Sequence, residues 1–288
     1  MITGKTQLLG IIGNPVEHSL SPVMHNAAIA ELGVNYVYIP MPVKPENLAD
    51  AIKGFSAINL AGFNITIPHK QAILPFLSEV SPAAKAVGAV NTVWKTSNGW
   101  AGTNTDVEGF LAPLKTYDYN WQQTSAIVLG IGGAARAVVA GLSQLGIAEI
   151  HCIGRDANKL ETFKESWQNI PLSTNLITHP WEQLKSLIPN CGLVVNTTPV
   201  GMYPKIEEIP LTPEIIQLLK PNTIAYDLIY TPNPTKFLKT AKQAGAIPID
   251  GLEMLVQQGA AALQIWLKQS VSVDTMRASL KIALGLKN

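Results

Sequence analysis

Lys70 follows Asn64-Ile65-Thr66-Ile67-Pro68-His69, where a strand-like run gives way to a helix-like one. An ammonium at such a boundary can give a proton to an oxygen on which negative charge is building, provided burial or a neighbouring charge tunes it. A second boundary carries an acid: Asp106 ends Gly102-Thr103-Asn104-Thr105-Asp106, just ahead of another helix-like run. If the two boundaries meet they form a Lys–Asp pair. Asp106 serves equally well as a helix cap, with Asn104 or Thr105 sharing the task. His18, His25 and His69 lie in the same part of the chain. His18 and His25 are not at H-x-x-x-H spacing and no cysteine or acid cluster joins them, so no metal site is expected.

A second constellation lies further on. The apolar run Ala126–Gly130 leads into Gly130-Ile131-Gly132-Gly133-Ala134-Ala135-Arg136 and then a helix-like stretch. Gly130, Gly132 and Ala135 fit G-x-G-x-x-G/A: a glycine for the tight turn, one for close approach of backbone to a pyrophosphate, and a small residue for helix–strand packing. The pyrophosphate would sit at the helix N-terminus, on free N–H groups and the positive end of the helix dipole. The next strand ends at Gly154-Arg155-Asp156. An acid at this tip binds a ribose 2′-hydroxyl, whereas Arg155 can pair with a 2′-phosphate, which favours NADP over NAD. Gly154 is expected to leave room there, and Asp156 to cap the following helix. Nicotinamide chemistry on a ketone also needs a proton donor at the oxygen, the role that Lys70 can fill.

Strand-like and helix-like runs alternate along the whole chain, which predicts an α/β protein with mostly parallel sheets. The first series has strands over Gln7–Gly13, Tyr36–Ile39 and Gly62–Ile67, and a hairpin of Val90–Lys95 and Trp100–Gly102 around an Asn-Gly turn signal. Its helices fall at Pro22–Leu32, with Ser21 as cap, at Pro45–Lys53, stopped by Gly54, and at Asp106–Leu114. The second has strands Ala126–Gly130, Glu149–Ile153, Leu193–Asn196, Ile224–Leu228 and Ile247–Ile249, with helices near Ala134–Leu145, Asn158–Trp167 and Pro234–Ala244. Helices Gly251–Lys268 and Asp274–Ala283 remain without a strand to cover. The economical arrangement packs them back on the first series. Domain one is then discontinuous, residues 1–106 with 252–288, and domain two is 107–251, with a ligand cleft between them.

In 288 residues, 21 Lys and Arg balance 20 Asp and Glu for a net charge of +1, which argues for a small-molecule ligand and against nucleic acid. Two cysteines, Cys152 and Cys191, are too few for a disulfide framework. No run approaches the ~20 apolar residues of a membrane span and no signal peptide is evident, so no membrane association and a cytoplasmic location are expected.

The sequence resembles the shikimate dehydrogenase family over essentially its whole length. The resemblance rests on Gly13-Asn14-Pro15-Val16-Glu17-His18-Ser19-Leu20-Ser21-Pro22, Asn64 to Lys70, Gly88-Ala89-Val90-Asn91-Thr92, Gly102 to Asp106, the Gly130–Ala135 loop, Asn196 to Met202, Tyr226-Asp227-Leu228-Ile229-Tyr230 and Gly251 to Gln258. It implies a discontinuous substrate domain, a Rossmann-type dinucleotide-binding domain, and reversible NADPH-dependent reduction of 3-dehydroshikimate to shikimate on the way to chorismate and the aromatic amino acids. Lys70 and Asp106 match the family's catalytic pair. Ser19, Ser21, Thr66, Asn91, Tyr230 and Gln258 match substrate-binding positions. Gly130, Gly132, Gly133 and Ala134 match the phosphate loop, Arg155 the 2′-phosphate arginine, and Met202, Gly251 and Met254 residues around the nicotinamide. The family's NADP tip typically reads Asn-Arg-Thr; in Gly154-Arg155-Asp156 the central arginine matches and both neighbours differ.

The residue types suit these roles. A carboxylate and several hydroxyls call for hydrogen-bonding partners, and Ser19 and Ser21 stand just before a helix N-terminus. Read alone, Thr66 and Asn91 satisfy turn backbone, Met254 is core and Tyr230 is an ordinary half-buried tyrosine. Alternative readings are a quinate/shikimate dehydrogenase using NAD, a dehydrogenase acting on folate, against which the Ser19-x-Ser21-Pro22 loop speaks, and a non-catalytic nucleotide- or metabolite-binding paralogue. A monomer or a homodimer is expected.

Overall fold

The computed structural model describes residues 2–168 and 170–286. The chain divides into two compact units, Met1–Gly109 with Leu255–Asn288, and Phe110–Met254. Both are built on six-stranded sheets with helices, an α/β fold.

Along the first part run β1 (Gln7–Gly13), α1 (Ser21–Leu32), β2 (Tyr36–Pro42), α2 (Leu48–Ala57), β3 (Gly62–Ile65), α3 (His69–Ala72), β4 (Glu79–Val80), α4 (Pro82–Val87), β5 (Thr92–Thr96), β6 (Gly99–Thr103) and α5 (Asp106–Leu114). The sheet order is β2-β1-β3-β5-β6-β4. β1 is parallel to β2 and β3, whereas β5 runs antiparallel to both β3 and β6. This topology brings to one end of the sheet the segments leaving β1, β3 and β6 and the one entering β5. Leu9–Gly13 is buried throughout, which is why β1 reads as an unbroken apolar run. Phe63 anchors the core, its ring 5.2 Å from Phe55 and 5.3 Å from Trp100.

The second series comprises β7 (Ser125–Leu129), α6 (Gly133–Leu145), β8 (Glu149–Gly154), α7 (Ala157–Glu165), β9 (Asn175–Pro180), α8 (Leu184–Leu187), β10 (Leu193–Asn196), α9 (Pro213–Ile216), β11 (Ile224–Asp227), α10 (Lys236–Gln243) and β12 (Ile247–Ile249). All pairings in the sheet β12-β11-β10-β7-β8-β9 are parallel. This is the doubly wound order of dinucleotide-binding folds. It reverses between β7 and β10, the switch point at whose carboxyl side ligands bind. The last helices, α11 (Leu252–Leu267) and α12 (Val273–Ala283), close the chain. Trp266 Nε1 donates to the Val93 carbonyl at 2.9 Å, and a side chain at Gly259 would overlap Met24, so α11 from Leu255 onward packs closely on the first unit.

Several local expectations need correction. Gly54 does not stop a helix: Pro45–Asn47 forms a 3-10 turn and α2 runs through Gly54 to Ala57. Buried Leu48, Ile52 and Phe55 carry it past a residue that costs only ~1 kcal/mol relative to alanine. Ser21 is the first residue of α1, Leu20 holds the cap position, and no side chain caps it. β3 ends at Ile65, because Thr66 to His69 turn, with the His69 N–H donating to the Thr66 carbonyl. The hairpin pairs Thr96 with Gly99, so Ser97-Asn98 forms its tip in place of Asn98-Gly99. Edge strand β9 and the short β4 and α4 have no counterpart in the sequence reading. Among the described residues no helix is long and apolar enough to cross a membrane.

Candidate active site

The end of the first sheet gathers Ser19 and Ser21 after β1, Thr66 and Lys70 after β3, Asn91 before β5 and Asp106 after β6. Lys70 Nζ donates to Asp106 Oδ2 at 2.6 Å, although the residues are 36 apart in sequence. The Asn91 amide donates to the other oxygen, Oδ1, at 2.8 Å. Each carboxylate oxygen therefore faces a side-chain donor and neither caps the helix; that task falls to Asn104, whose Oδ1 accepts from the Asp106 N–H at 2.9 Å. The Asp106 side chain is 9% exposed and that of Lys70 22%, so the ammonium is the more open partner. Of its three N–H donors the described residues engage one.

Asn91 is the hub. Its Oδ1 accepts from the Thr105 N–H at 2.8 Å and from the Thr92 hydroxyl at 2.9 Å, which fixes the amide with its NH2 toward Asp106. The same NH2 donates to Thr105 Oγ1 at 3.0 Å and reaches Gln258 Oε1 at 3.4 Å, bringing α11 into the cluster. Ser19 Oγ accepts from the Ser21 N–H at 3.3 Å. Thr66 is half-buried, and its N–H donates to the Ile12 carbonyl. The arrangement sets an ammonium–carboxylate pair among neutral amides and hydroxyls. It is suited to hold a small polar molecule and to exchange a proton with one of its oxygens.

The remaining candidates belong to the second unit. Gly130 has φ +106°, and a Cβ there would stand 2.7 Å from Thr197 Oγ1, so the loop after β7 can close on the loop after β10 only with glycine. Gly132 precedes α6 without a side-chain cap, and side chains built at Gly132 and Gly133 would meet nothing within 4 Å. Open, uncapped N–H groups at the start of a thirteen-residue helix, with half-buried Ala134 next, are what a pyrophosphate requires. Arg155 is exposed at the end of β8. Asp156 Oδ1 accepts from the Lys159 N–H at 3.1 Å and caps α7. Gly154 does not leave room for a ligand: a side chain there would lie 2.9 Å from Leu160 and 3.2 Å from Ile131, so its smallness serves packing. Met202 is 48% exposed, Met254 is half-buried, and Gly251 is buried where any side chain would overlap the Leu228 carbonyl. Tyr230 is half-buried, and desolvation raises its hydroxyl pKa.

The sequence reading missed Asn64, Thr92 and Thr105 as members of the buried network around Asn91. Asn64 did carry a signal, as an amide inside an otherwise apolar strand.

Residues 11–93 match the family model of the shikimate dehydrogenase substrate binding domain, and residues 251–281 that of the shikimate 5′-dehydrogenase C-terminal domain. The chain is 62% identical to the shikimate dehydrogenase (NADP(+)) of Nostoc sp. over 100% of both chains. The chain belongs to the shikimate dehydrogenase family. Among solved structures of this family, that from Aquifex aeolicus is similar with a TM-score of 0.87 at 36% identity, covering 98% of this chain and 100% of that one. The Thermus thermophilus enzyme, solved in complex with NADP(H) and shikimate, matches with a TM-score of 0.84 at 34% identity, over 97% and 100% of the two chains.

Proposed function

We propose that this chain is an NADP-dependent shikimate dehydrogenase that reversibly reduces 3-dehydroshikimate to shikimate. The observation that carries the reading is the 2.6 Å Lys70–Asp106 pair, set among the polar groups of one sheet end in a family member. NADPH, when bound, supplies the hydride. Lys70 gives the nascent alkoxide its proton and stabilises charge there as it builds, and in the oxidative direction it takes the proton back. Asp106 holds the ammonium in place and accepts a substrate hydroxyl. Asn91 and Gln258, with Ser19, Ser21, Thr66 and Tyr230, bind the carboxylate and hydroxyls. The substrate domain, residues 1–106 with 252–288, takes up nearly all of the first unit, and the nucleotide domain, 107–251, nearly all of the second.

In that second unit Gly130, Gly132, Gly133 and Ala134 bind the pyrophosphate, Arg155 the 2′-phosphate, and Met202, Gly251 and Met254 line the nicotinamide position. Cys152 and Cys191 are both free and buried, which suits a reducing, cytoplasmic compartment, with the enzyme acting as monomer or homodimer.

The test is the absorbance of reduced nicotinamide after adding shikimate or quinate, each with NADP+ and with NAD+. Shikimate with NADP+ is expected to give the highest kcat/KM. A higher value for quinate with NAD+ would replace this reading with the quinate one, and turnover of none of the four pairs would remove the enzymatic reading.

A further inference from the structure

Tyr38 lies on β2, at the edge of the first sheet, yet it is 1% exposed and its side chain reaches the polar network at the sheet end. Its hydroxyl donates to Asn64 Oδ1 at 2.7 Å. Asn64 Nδ2 in turn donates to the Asn91 carbonyl and to Thr92 Oγ1, each at 3.1 Å. The Thr92 hydroxyl then donates to Asn91 Oδ1, and Asn91 donates to Asp106. Every bond in this series points the same way: the Asn91 carbonyl, which can only accept, turns the Asn64 NH2 toward itself and Thr92, and the Tyr38 O–H is left to donate to Oδ1 and hold the amide there. An amide's two ends are nearly alike in shape, so a neighbour that can only accept selects the orientation and the hydroxyl at the other end anchors it.

The tyrosine is itself held from three sides. Asn26 on α1 accepts from the Tyr38 N–H at 2.9 Å and donates to its carbonyl at 2.8 Å. The His25 ring stacks on the Tyr38 ring with centroids 4.1 Å apart, and His25 Nδ1 donates to the Ser21 carbonyl at 2.8 Å. Trp266 of α11 packs against both rings. One side chain thus ties the α1 start, which carries Ser21, to the strand ends that carry Asn91 and Asp106.

We propose that Tyr38 is a positioning residue for substrate binding, acting through Asn64 and Thr92 on the Asn91 amide. The inference rests on the proposed dehydrogenase reading. Tyr38 bonds directly to neither Lys70 nor Asp106 and reaches Asp106 only through Asn64, Thr92 and Asn91, so its loss should weaken substrate binding more than proton transfer. Tyr38→Phe removes only the hydroxyl and retains the stack. The expected result is a shikimate KM raised about fivefold, the size of one neutral hydrogen bond, with kcat within about twofold and an unchanged KM for NADP+. Thr92→Val breaks the same series one step later and should raise the shikimate KM by a similar factor. The double variant should match the larger single effect, because the two act on one amide.

Full multiplication of the two effects, or an unmoved shikimate KM in either variant, would overturn the inference. A fall in melting temperature with unmoved KM would show a merely structural tyrosine. Should Tyr38→Phe fail to fold, Thr92→Val alone decides. Wild-type turnover of shikimate is measured first: its absence removes the dehydrogenase reading and the inference together, whereas an active wild type with unaffected variants removes the inference alone.

Discussion

Asp106 and Asp227 are both buried aspartates at the carboxyl side of a strand, one in each unit, and their surroundings differ. Asp106 meets a cation, Lys70, at 2.6 Å. Asp227, 0% exposed at the end of β11, meets only neutral donors: Asn196 Nδ2 at 3.0 Å, the Ile229 N–H at 3.2 Å and the Thr235 hydroxyl at 2.7 Å. The same contrast runs through the two regions. In the first, side chains of Lys, Asp, Asn and Thr converge, so chemistry depends on which groups touch. In the second, glycines and a bare helix start present backbone, so binding depends on what is missing. A region built from contacts fails when one contact is deleted. A region built from absence fails when something is added.

Deleting the cation should have the largest effect. Lys70→Ala is expected to lower kcat by ~10²–10⁴ with a smaller change in the shikimate KM, the loss typical of a positioned proton donor. Steady-state rates with shikimate and NADP+ read this directly, and near-normal turnover would take Lys70 out of the mechanism.

Asp227 sharpens the contrast through pH. Burial is the main cause that pushes its carboxyl from the ordinary 3.8 up to about 6, with the three hydrogen bonds pulling the other way. Because the folded value is the higher one, the folded state holds the proton more tightly between these two values. The group's contribution is present below about pH 4 and is lost as pH rises through about 6, with a full size of about 3 kcal/mol. Asp227→Asn removes that titration. The melting temperature of the variant relative to wild type should therefore rise from pH 4 to pH 7. A flat or falling difference would show that the Asp227 carboxyl is not raised.

What the sequence showed and what it hid divides along the same line. Gln7–Gly13, Leu193–Asn196 and Ile247–Ile249 are strands over the very residues read from the sequence, because short apolar runs between turn residues have few other fates. β9 was invisible: none of Asn175–Pro180 is fully buried, so no apolar run marks it. The glycine loop was legible because its constraint is local. Lys70 and Asp106 were legible as candidates, but their meeting depends on β3, β5 and β6 lying side by side, which spacing alone does not encode. Nor could residue type assign capping to Asn104 and pairing to Asp106, since both side chains can do either. The role of Gly154 was misread for a similar reason: a missing side chain looks the same whether a ligand or Leu160 fills the space.

Adding one carbon to the second region tests the other half of the comparison. Gly130→Ala would place a methyl 2.7 Å from Thr197 Oγ1 and 3.1 Å from Thr198 Cγ2, at a φ that L-residues resist. A stability loss of ~1–3 kcal/mol is expected, together with a raised KM for NADP+ and an unchanged KM for shikimate. Thermal melts and both KM values check this. A variant with wild-type nucleotide binding would show that the loop tolerates a side chain where the structure has none to spare.

Arg155 is the charged exception in the second region, a proposed side-chain contact beside a phosphate site otherwise made of backbone, and its effect should be the smallest. It is exposed at the tip of β8, and its neighbour Asp156 is committed to capping α7 through the Lys159 N–H. An exposed guanidinium pairs with a 2′-phosphate in high dielectric, so the charge-assisted bond is worth the lower end of its range, ~1.5 kcal/mol or about tenfold. Arg155→Ala should thus raise the KM for NADPH about tenfold and leave that for NADH unmoved, because NADH has no 2′-phosphate to lose. Salt screens an exposed pair, so the wild-type advantage with NADPH should narrow as ionic strength increases. Equal losses with the two nucleotides would assign Arg155 to the shape of the strand tip and leave the choice of nucleotide to the backbone around it.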